Sequence, residues 1–329
     1  MDSITQAVLG ASIAGAIAPA GQKRKALLAG AALGTLPDLD VFIDFGGAVE
    51  NFTYHRGFSH SLFVLAPFSV LLWFALKRWW APVRAAPERW LAIISLVLLT
   101  HPLLDAHTAY GTQLLWPLSV PPTMWATIFI IDPLYTLPLL VATLLAAFLT
   151  RAAWTINGLR IALAASTLYL AWTWVAQGLV ERNVKDTLAA MELSNAPVFL
   201  TPTPFNSLLW RIVVMTDHGY LEGFDSLVLN EGPIKFDEYD SDVDAIEDAS
   251  NVWAVARLRW FSRDFIRARI EHDRLLLTDL RMGQEPVYVF THAAAVRGNP
   301  HWNPTATELL SVSLGGGDLT GVWNRIWSN

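Results

Sequence analysis

Histidine and carboxylate residues recur in the first third of the chain at spacings that suit metal coordination. The clearest pair is His101 and Asp105 in the sequence HPLLD. Residues four positions apart share one face of a helix, so these two side chains can reach the same cation. Taken alone, the pair would equally suit a hydrogen bond that joins two helices.

A second motif, HRGFSHS, contains His55 and His60. A spacing of five does not place two side chains on one face of a regular helix. Gly57 eases a turn, and Ser59 suits the N-cap of a following helix. We therefore expect His55 to precede that helix and both imidazoles to point to one place. The simpler alternative is a solvated loop with two incidental histidines.

A third motif, LPDLD, places Asp38 and Asp40 directly after Pro37. A proline disfavours the helical conformation of the residue before it, so we expect a helix to end at Leu36. The helix macrodipole is negative at that end and does not favour nearby anions. A cation bound by the two aspartates would remove this conflict.

Three more polar residues extend the candidate set. Asp2 and Gln6 lie four residues apart in the first apolar segment, and Asp132 interrupts an apolar run. Asp2 alone is more typical of ordinary helix N-terminal charge. The predicted metal ligands are Asp38, His55, His60, His101 and Asp105, with Asp2 and Gln6 as further candidates, and the predicted catalytic carboxylates are Asp40 and Asp132.

The composition is that of a membrane protein. Hydrophobic residues make up 53% of the 329 residues, charged residues only 16%, and there are 15 tryptophans. Soluble domains carry about 25% charged residues, and tryptophan favours membrane interfaces. No cysteine is present, which excludes disulfides, thiolate metal sites and a cysteine nucleophile. The charge distribution does not suggest a nucleic-acid partner.

Long apolar runs predict a membrane all-α bundle of about six transmembrane helices over residues 1–180. A small, soluble α+β extracytoplasmic domain is predicted over residues 181–329, where β-branched and aromatic residues alternate with turn signals. The predicted helices are residues 3–18, 26–36, 60–76, 90–110, 125–149 and 156–179, and the predicted strands are residues 224–229, 252–260, 275–280 and 287–296.

Basic residues predict the orientation of this bundle. They cluster at residues 23–25 and 77–89, in alternate loops, and the positive-inside rule places such loops in the cytoplasm. Six helices would then put the C-terminal domain on the opposite, outer side, which is the periplasm if the host is a Gram-negative bacterium. The same topology gathers the candidate ligands at one outer membrane face, whereas unrelated polar residues would be scattered over both faces.

Histidine and carboxylate ligands without cysteine suit a divalent metal, most simply Zn²⁺, with Mn²⁺ or Fe²⁺ as alternatives and room for one or two ions. A metal open to water lowers the pKa of that water, so hydrolysis is the natural reaction. A site near headgroup depth predicts membrane lipids as partners and an amphipathic or lipid-linked ester or phosphoester as substrate. The sequence does not indicate an oligomeric state.

Two other functions suit the same residues. A transporter could carry metal ions or protons along the His/Asp cluster, but it would also need polar groups on the inner half of the membrane, and the sequence offers none there. A non-enzymatic scaffold could use a structural metal to hold its helices together. Metal uptake into vesicles would indicate the transporter. Unfolding of the bundle on metal removal would indicate the scaffold.

The ordered motifs resemble the YdjM-like family of bacterial membrane-bound metal-dependent hydrolases. The matching segments are MDSITQAVLGA, GTLPDLD, HRGFSHS, THPLLDAHTAYGTQLLWP and FIIDPLYTLPLL. The resemblance implies an inner-membrane protein with metal-dependent hydrolase activity and no defined substrate. Many members carry a histidine where this chain has Gln6, so one ligand is either missing or replaced by a hydrogen bond. The HxxxD motif is also distantly similar to zinc-dependent phospholipase C.

Overall fold

The computed structural model describes residues 1–19, 21–149, 152–229, 232–310 and 319–327. The chain forms two compact units. The first unit comprises Met1–Ile43 and His55–Thr173, and the second comprises Asp44–Tyr54 and Trp174–Asn329. The short segment Asp44–Tyr54 thus belongs with the C-terminal half, a division that no composition change in the sequence marks.

Helices dominate the first part of the chain. Their bounds, in chain order, are α1 (Ser3–Ile17), α2 (Lys23–Thr35), α3 (Ala48–Tyr54), α4 (Leu62–Trp79), α5 (Ala81–Ala85), α6 (Pro87–Asp105), α7 (Pro133–Phe148) and α8 (Trp154–Ala190). Two 3₁₀ helices, Pro37–Phe42 and Phe58–His60, lie between them. Helix α3 belongs to the second unit, and α8 passes from the first unit into the second after Thr173.

Glycines let α1 and α2 pack backbone against backbone. A Cβ atom on Gly10 would collide with the carbonyl oxygen of Gly30, and one on Gly34 would collide with the carbonyl of Gln6. Small residues allow this close approach. The contact fixes the end of α2, and therefore the position of the aspartates that follow it, relative to α1.

The prediction of about six transmembrane helices is wrong. Among the described residues, two helices are long and apolar enough to cross a membrane, Leu62–Trp79 and Trp154–Ala190. The apolar helices α1 and α7 have 15 and 16 residues, below the roughly 20 that a span needs. Asp132 and Pro133 begin α7 well after the predicted start at residue 125, since proline suits the first helical turn and Asp132 caps it.

The second unit is built on antiparallel β-sheets, which corrects the predicted α+β domain. One four-stranded sheet has the order β1-β2-β3-β4 and the other the order β10-β9-β6-β5, with a separate β7-β8 hairpin. The strands are β1 (Val198–Pro202), β2 (Leu209–Met215), β3 (Gly219–Ser226), β4 (Phe236–Asp240), β5 (Ile266–Glu271), β6 (Arg274–Asp279), β7 (Gly283–Gln284), β8 (Val287–Tyr288), β9 (Thr291–Val296) and β10 (Asn303–Leu309).

Among the described residues, three short helices accompany the sheets, α9 (Val243–Asp248), α10 (Trp253–Ser262) and α11 (Leu319–Trp327). Helix α10 covers most of residues 252–260, where a strand was predicted. Short apolar segments do not distinguish strand from helix by periodicity, and here packing decides. Phe261 of α10 packs 4.9 Å, between ring centroids, from Phe52 of α3.

Candidate metal centre

Four side chains from three segments converge inside the first unit. Asp38 comes from the 3₁₀ helix that follows α2, and His60 ends the second 3₁₀ helix. His101 and Asp105 come from the last turn of α6. Both histidines and Asp105 are at most 1% exposed, and the Asp38 side chain is 17% exposed. The cluster is therefore buried, with Asp38 on its most accessible side.

The spacing of the four groups suits one metal ion. Their ligand atoms all lie within 4.8 Å of one another, as a metal site requires. His60 Nε2 lies 3.1 Å from His101 Nε2 and 3.1 Å from Asp105 Oδ2, and Asp38 Oδ1 lies 3.4 Å from each histidine Nε2. A tetrahedral ion with bonds of about 2.0–2.1 Å separates its ligands by roughly 3.3 Å.

Hydrogen bonds on the far side of each imidazole determine which nitrogen carries the proton. His101 Nδ1 lies 2.6 Å from the carbonyl oxygen of Gly34, which can only accept, so Nδ1 is protonated. Ser59 Oγ donates to Asp40 Oδ2 at 2.5 Å and therefore accepts from His60 Nδ1 at 2.9 Å. Each neutral histidine thus directs the lone pair of Nε2 toward the centre of the cluster, as metal-binding histidines do.

A cation would satisfy this arrangement. Two imidazole nitrogens and two carboxylates face one another, while Arg56 Nε lies 3.4 Å from Asp105 Oδ2 without forming a hydrogen bond. The buried atoms Asp38 Oδ2, Asp105 Oδ2 and Gln6 Oε1 have no hydrogen-bond partner. Buried polar atoms are rarely left in this state. The residues present therefore fit a divalent ion, which His60, His101, Asp38 and Asp105 would hold.

Protons compete with a metal ion for the same atoms. Burial lowers the pKa of His60, but its contacts with Asp105 and Asp38 outweigh burial and hold the pKa above the ordinary histidine value. Burial raises the pKa of Asp38, but hydrogen bonds with His101 and His60 outweigh it and hold the pKa below the ordinary range. Both directions are those expected where carboxylates surround a positive charge.

Asp105 is held by groups on its other side. Gln6 Nε2 donates to Asp105 Oδ1 at 3.0 Å and to the carbonyl oxygen of His101 at 3.2 Å. The amino group of Met1 also contacts Oδ1. These bonds occupy Oδ1 and leave Oδ2 directed at the two histidines. Gln6 thus orients a candidate ligand, and its own Oε1 atom makes no hydrogen bond.

His55 and Asp40 form a pair beside the cluster rather than part of its centre. His55 Nδ1 lies 2.8 Å from Asp40 Oδ1, while Asp40 Oδ2 accepts from the backbone N–H of Arg56 at 2.9 Å and from Ser59. Burial raises the pKa of Asp40, but the bond with His55 outweighs it, and the pKa is lowered. Asp40 therefore supports both His55 and, through Ser59, His60.

The structure places Asp2 and Asp132 apart from the four ligand groups. Asp2 caps α1 by accepting from the backbone N–H groups of Ile4 and Thr5. Asp132 caps α7, and its Oδ2 accepts from the Tyr169 hydroxyl at 2.8 Å. Each carboxylate is thus accounted for by helix capping, which stabilises the helix N-terminus.

Sequence reasoning did not assign roles at the site to Ser59, Arg56 or Gly34. Ser59 was interpreted as a helix N-cap, but Ser61 caps α4, with its Oγ accepting from Phe63 N. Ser59 instead joins Asp40 to His60. The position of Ser59 directly before the candidate ligand His60 could have indicated this role from the sequence. Nothing in the sequence marks Gly34, whose contribution is a backbone carbonyl.

A helical unit with a buried His/Asp cluster, in a chain with two candidate membrane spans, defines the class: a membrane protein with a site that could hold a metal. Residues 1–180, more than half of the chain, match the profile of the YdjM inner membrane protein family. The chain belongs to that family, and the family resemblance noted from the motifs is confirmed.

One relative is the inner membrane protein YbcI of Escherichia coli (strain K12), which is 41% identical over 96 residues. The match covers 28% of this chain and 54% of that protein, so the chain spans about half the length of this relative. No solved structure matches the chain significantly. The family and the relative both support an inner-membrane location.

Proposed function

We propose that the chain is a membrane-bound metal-dependent hydrolase that cleaves an ester or phosphoester of a lipid-like substrate. The observation that carries the proposal is the convergence of four potential ligands, His60 Nε2, His101 Nε2, Asp38 and Asp105, whose ligand atoms all lie within 4.8 Å of one another. The proposed ion is Zn²⁺, because histidine nitrogens and carboxylate oxygens are among its usual ligands, and zinc can expand to five ligands and so admit water or substrate beside four protein groups. Such an ion supplies Lewis acidity that polarises a substrate oxygen and lowers the pKa of water.

The residues around the four ligands would perform separate tasks. Gln6 and Ser59 hold Asp105 and His60 in orientation, so the ligands need not reorganise when an ion binds. His55 donates its Nδ1 proton to Asp40, which leaves Nε2 as the nitrogen that can exchange a proton with water or a leaving group. The His55 side chain is 23% exposed, so substrate can reach it.

Apolar side chains beside the site favour a lipid-like substrate. The 3₁₀ helix that carries Asp38 and Asp40 also carries Leu39, Val41 and Phe42, which are 50%, 64% and 83% exposed. Exposed apolar residues of this size are costly in water and favourable against acyl chains. A substrate whose polar group reaches the ligands could leave its acyl chains on this surface.

The test is hydrolysis by the full-length protein purified in detergent and loaded with Zn²⁺. Probes are bis(p-nitrophenyl) phosphate, p-nitrophenyl butyrate and phospholipid in mixed micelles, with His101→Ala as the inactive variant. The exposed residue His218 offers a control, His218→Ala, which should behave as wild type. Loss of all hydrolysis in His101→Ala alone supports the proposal. Stoichiometric zinc without hydrolysis of any probe contradicts it, and hydrolysis of soluble esters without any lipid contradicts the lipid-like substrate.

A further inference from the structure

Arg56 places a permanent positive charge against the ligand cluster. Its side chain is almost fully buried, and its Nε atom lies 3.4 Å from Asp105 Oδ2. Nε makes no hydrogen bond, while Nη1 donates to Thr108 Oγ1 at 3.2 Å. The guanidinium carbon also lies 5.1 Å from the centre of the Tyr110 ring, a cation–π distance. The guanidinium is thus fixed in place with a donor left unused.

The backbone at Arg56 is held as firmly as the side chain. Its φ of 58° is in the left-handed region, which is uncommon for a residue other than glycine. Its N–H donates to Asp40 Oδ2 at 2.9 Å, and its carbonyl accepts from Gln113 N at 3.0 Å. A strained conformation of this kind persists only where surrounding contacts impose it, and such conformations cluster at functional sites.

A fixed guanidinium is unfavourable beside a site that binds only a metal. Arg56 and a divalent ion would both lie next to Asp105, and like charges at such short range repel strongly in a buried environment. Asp38, Asp40 and Asp105 carry three negative charges, whereas a divalent ion, Arg56 and the Met1 amino group on Asp105 would carry four positive charges. An anion that contacts both the ion and Arg56 would remove the repulsion.

We propose that Arg56, together with the ion held by the four ligands, binds an anionic phosphoryl group, so that the substrate is a phosphoester rather than a neutral carboxylic ester. The inference rests on the proposed function and specifies its substrate class. Guanidinium groups bind phosphate oxygens through paired, charge-assisted N–H donors. Positive groups fixed where phosphoryl charge develops stabilise the transition state of its transfer.

The experiment measures metal and phosphate binding separately on the full-length protein in detergent. Protein loaded with Mn²⁺ is titrated with orthophosphate, and broadening of the ³¹P resonance reports phosphate close to the ion. The variants are Arg56→Gln and Arg56→Lys, with Arg84→Gln at an exposed position as the control. A second titration with phosphatidic acid in mixed micelles distinguishes a lipid headgroup from free phosphate as the source of the anion.

The inference predicts different effects of the Arg56 substitutions on Mn²⁺ binding and on phosphate binding. Arg56→Gln should keep one Mn²⁺ per chain, bound at least as tightly as in wild type, and weaken phosphate binding by roughly 10–100-fold. The phosphate affinity of Arg56→Lys should lie between that of wild type and that of Arg56→Gln. Unchanged phosphate affinity in Arg56→Gln, or loss of Mn²⁺ from both variants, would overturn the inference and leave Arg56 a structural partner of Asp105.

The remaining outcomes separate this inference from the proposed function. A wild-type protein that binds Mn²⁺ stoichiometrically but no phosphate in either titration overturns the role of Arg56 and leaves the metal centre intact. A wild-type protein that binds no metal at all overturns the proposed function and the inference with it.

Discussion

The Nε2 atoms of His60 and His101 lie 3.1 Å apart, and the partners of the opposite ring nitrogens direct a lone pair from each toward the other. Two such acceptors at this distance repel unless a metal ion or a proton lies between them. Asp38 and Asp105 add negative charge at the same point. The hydrogen bonds that surround the cluster therefore support cation binding as much as the identity of the four side chains does.

Ser59 and Ser61 provide a matched pair of substitutions. Ser59→Ala removes the acceptor of the His60 Nδ1 proton, so we expect metal affinity to fall by roughly 10–100-fold. Ser61→Ala removes the cap of α4, so we expect a loss of about 1 kcal/mol in stability with metal affinity unchanged. Isothermal titration with Zn²⁺ and thermal unfolding of each variant distinguish the two effects. Equal metal affinity in both variants would show that the Asp40–Ser59–His60 chain does not orient the ligand.

Gln6 is expected to act through Asp105. Gln6→Ala removes the donor to Asp105 Oδ1, so we expect about tenfold or greater loss of metal affinity in the same titration. Ser12→Ala is the control, because Ser12 is buried on the same helix and bonds to Thr143. If the two variants lose metal affinity to the same small extent, Gln6 contributes to packing and does not orient Asp105 for metal binding.

Gly34 links helix packing to the metal centre. A methyl group at this position would collide with the carbonyl of Gln6, so we expect Gly34→Ala to cost on the order of 1–3 kcal/mol in stability. It should also weaken metal binding, because the Gly34 carbonyl holds His101. The control is Gly178→Ala in α8, where the added methyl meets open space and should stabilise the helix by up to about 1 kcal/mol. Thermal unfolding with and without Zn²⁺ measures both effects, and an undisturbed Gly34→Ala protein would contradict the close packing of α1 and α2.

His292 is expected to make stability dependent on pH. Burial lowers its pKa to about 4, and neither ring nitrogen has a hydrogen-bond partner. The unfolded chain therefore binds a proton near pH 6.5 and the folded chain only near pH 4. The stability that comes from keeping His292 neutral is fully present above about pH 6.5. It is lost as the pH falls toward 4, and the total loss in the free energy of unfolding is on the order of 3 kcal/mol.

The corresponding measurement is the free energy of unfolding between pH 4 and 8. His292→Leu should lose less stability than wild type over this interval, while the exposed control His218→Leu should follow wild type. A pH dependence identical in His292→Leu and wild type would show that His292 is not buried in its neutral form.

The motifs predicted which residues meet at the site better than they predicted the architecture around it. The i,i+4 spacing of His101 and Asp105 indicated a shared face, and the structure places both in the last turn of α6. The bend that brings Asp38 to them depends on the packing of Gly34 against α1, which no local pattern encodes. Asp132 was selected because a carboxylate in an apolar run is unusual, yet the proline after it also indicates an ordinary helix cap.

Helix lengths were the main error in the predicted fold. The apolar stretches on each side of residues 111–124 predict helices over residues 90–110 and 125–149. The structure ends α6 at Asp105 and begins α7 at Pro133, with turns and a Thr112–Thr123 bridge between them. Backbone hydrogen bonds such as Trp125 N to Ala106 O organise this segment. Such tertiary pairing overrides the local preference for helix.

Metal content measured by mass spectrometry on purified full-length protein tests the central claim most directly. The comparison is between wild type, the double variant His101→Ala/Asp105→Ala and the control His218→Ala, each loaded with Zn²⁺ and freed of excess ion. The account predicts about one zinc per chain in wild type and control, and none in the double variant. Zinc-free wild-type protein, or equal zinc in all three samples, would contradict a metal centre formed by Asp38, His60, His101 and Asp105.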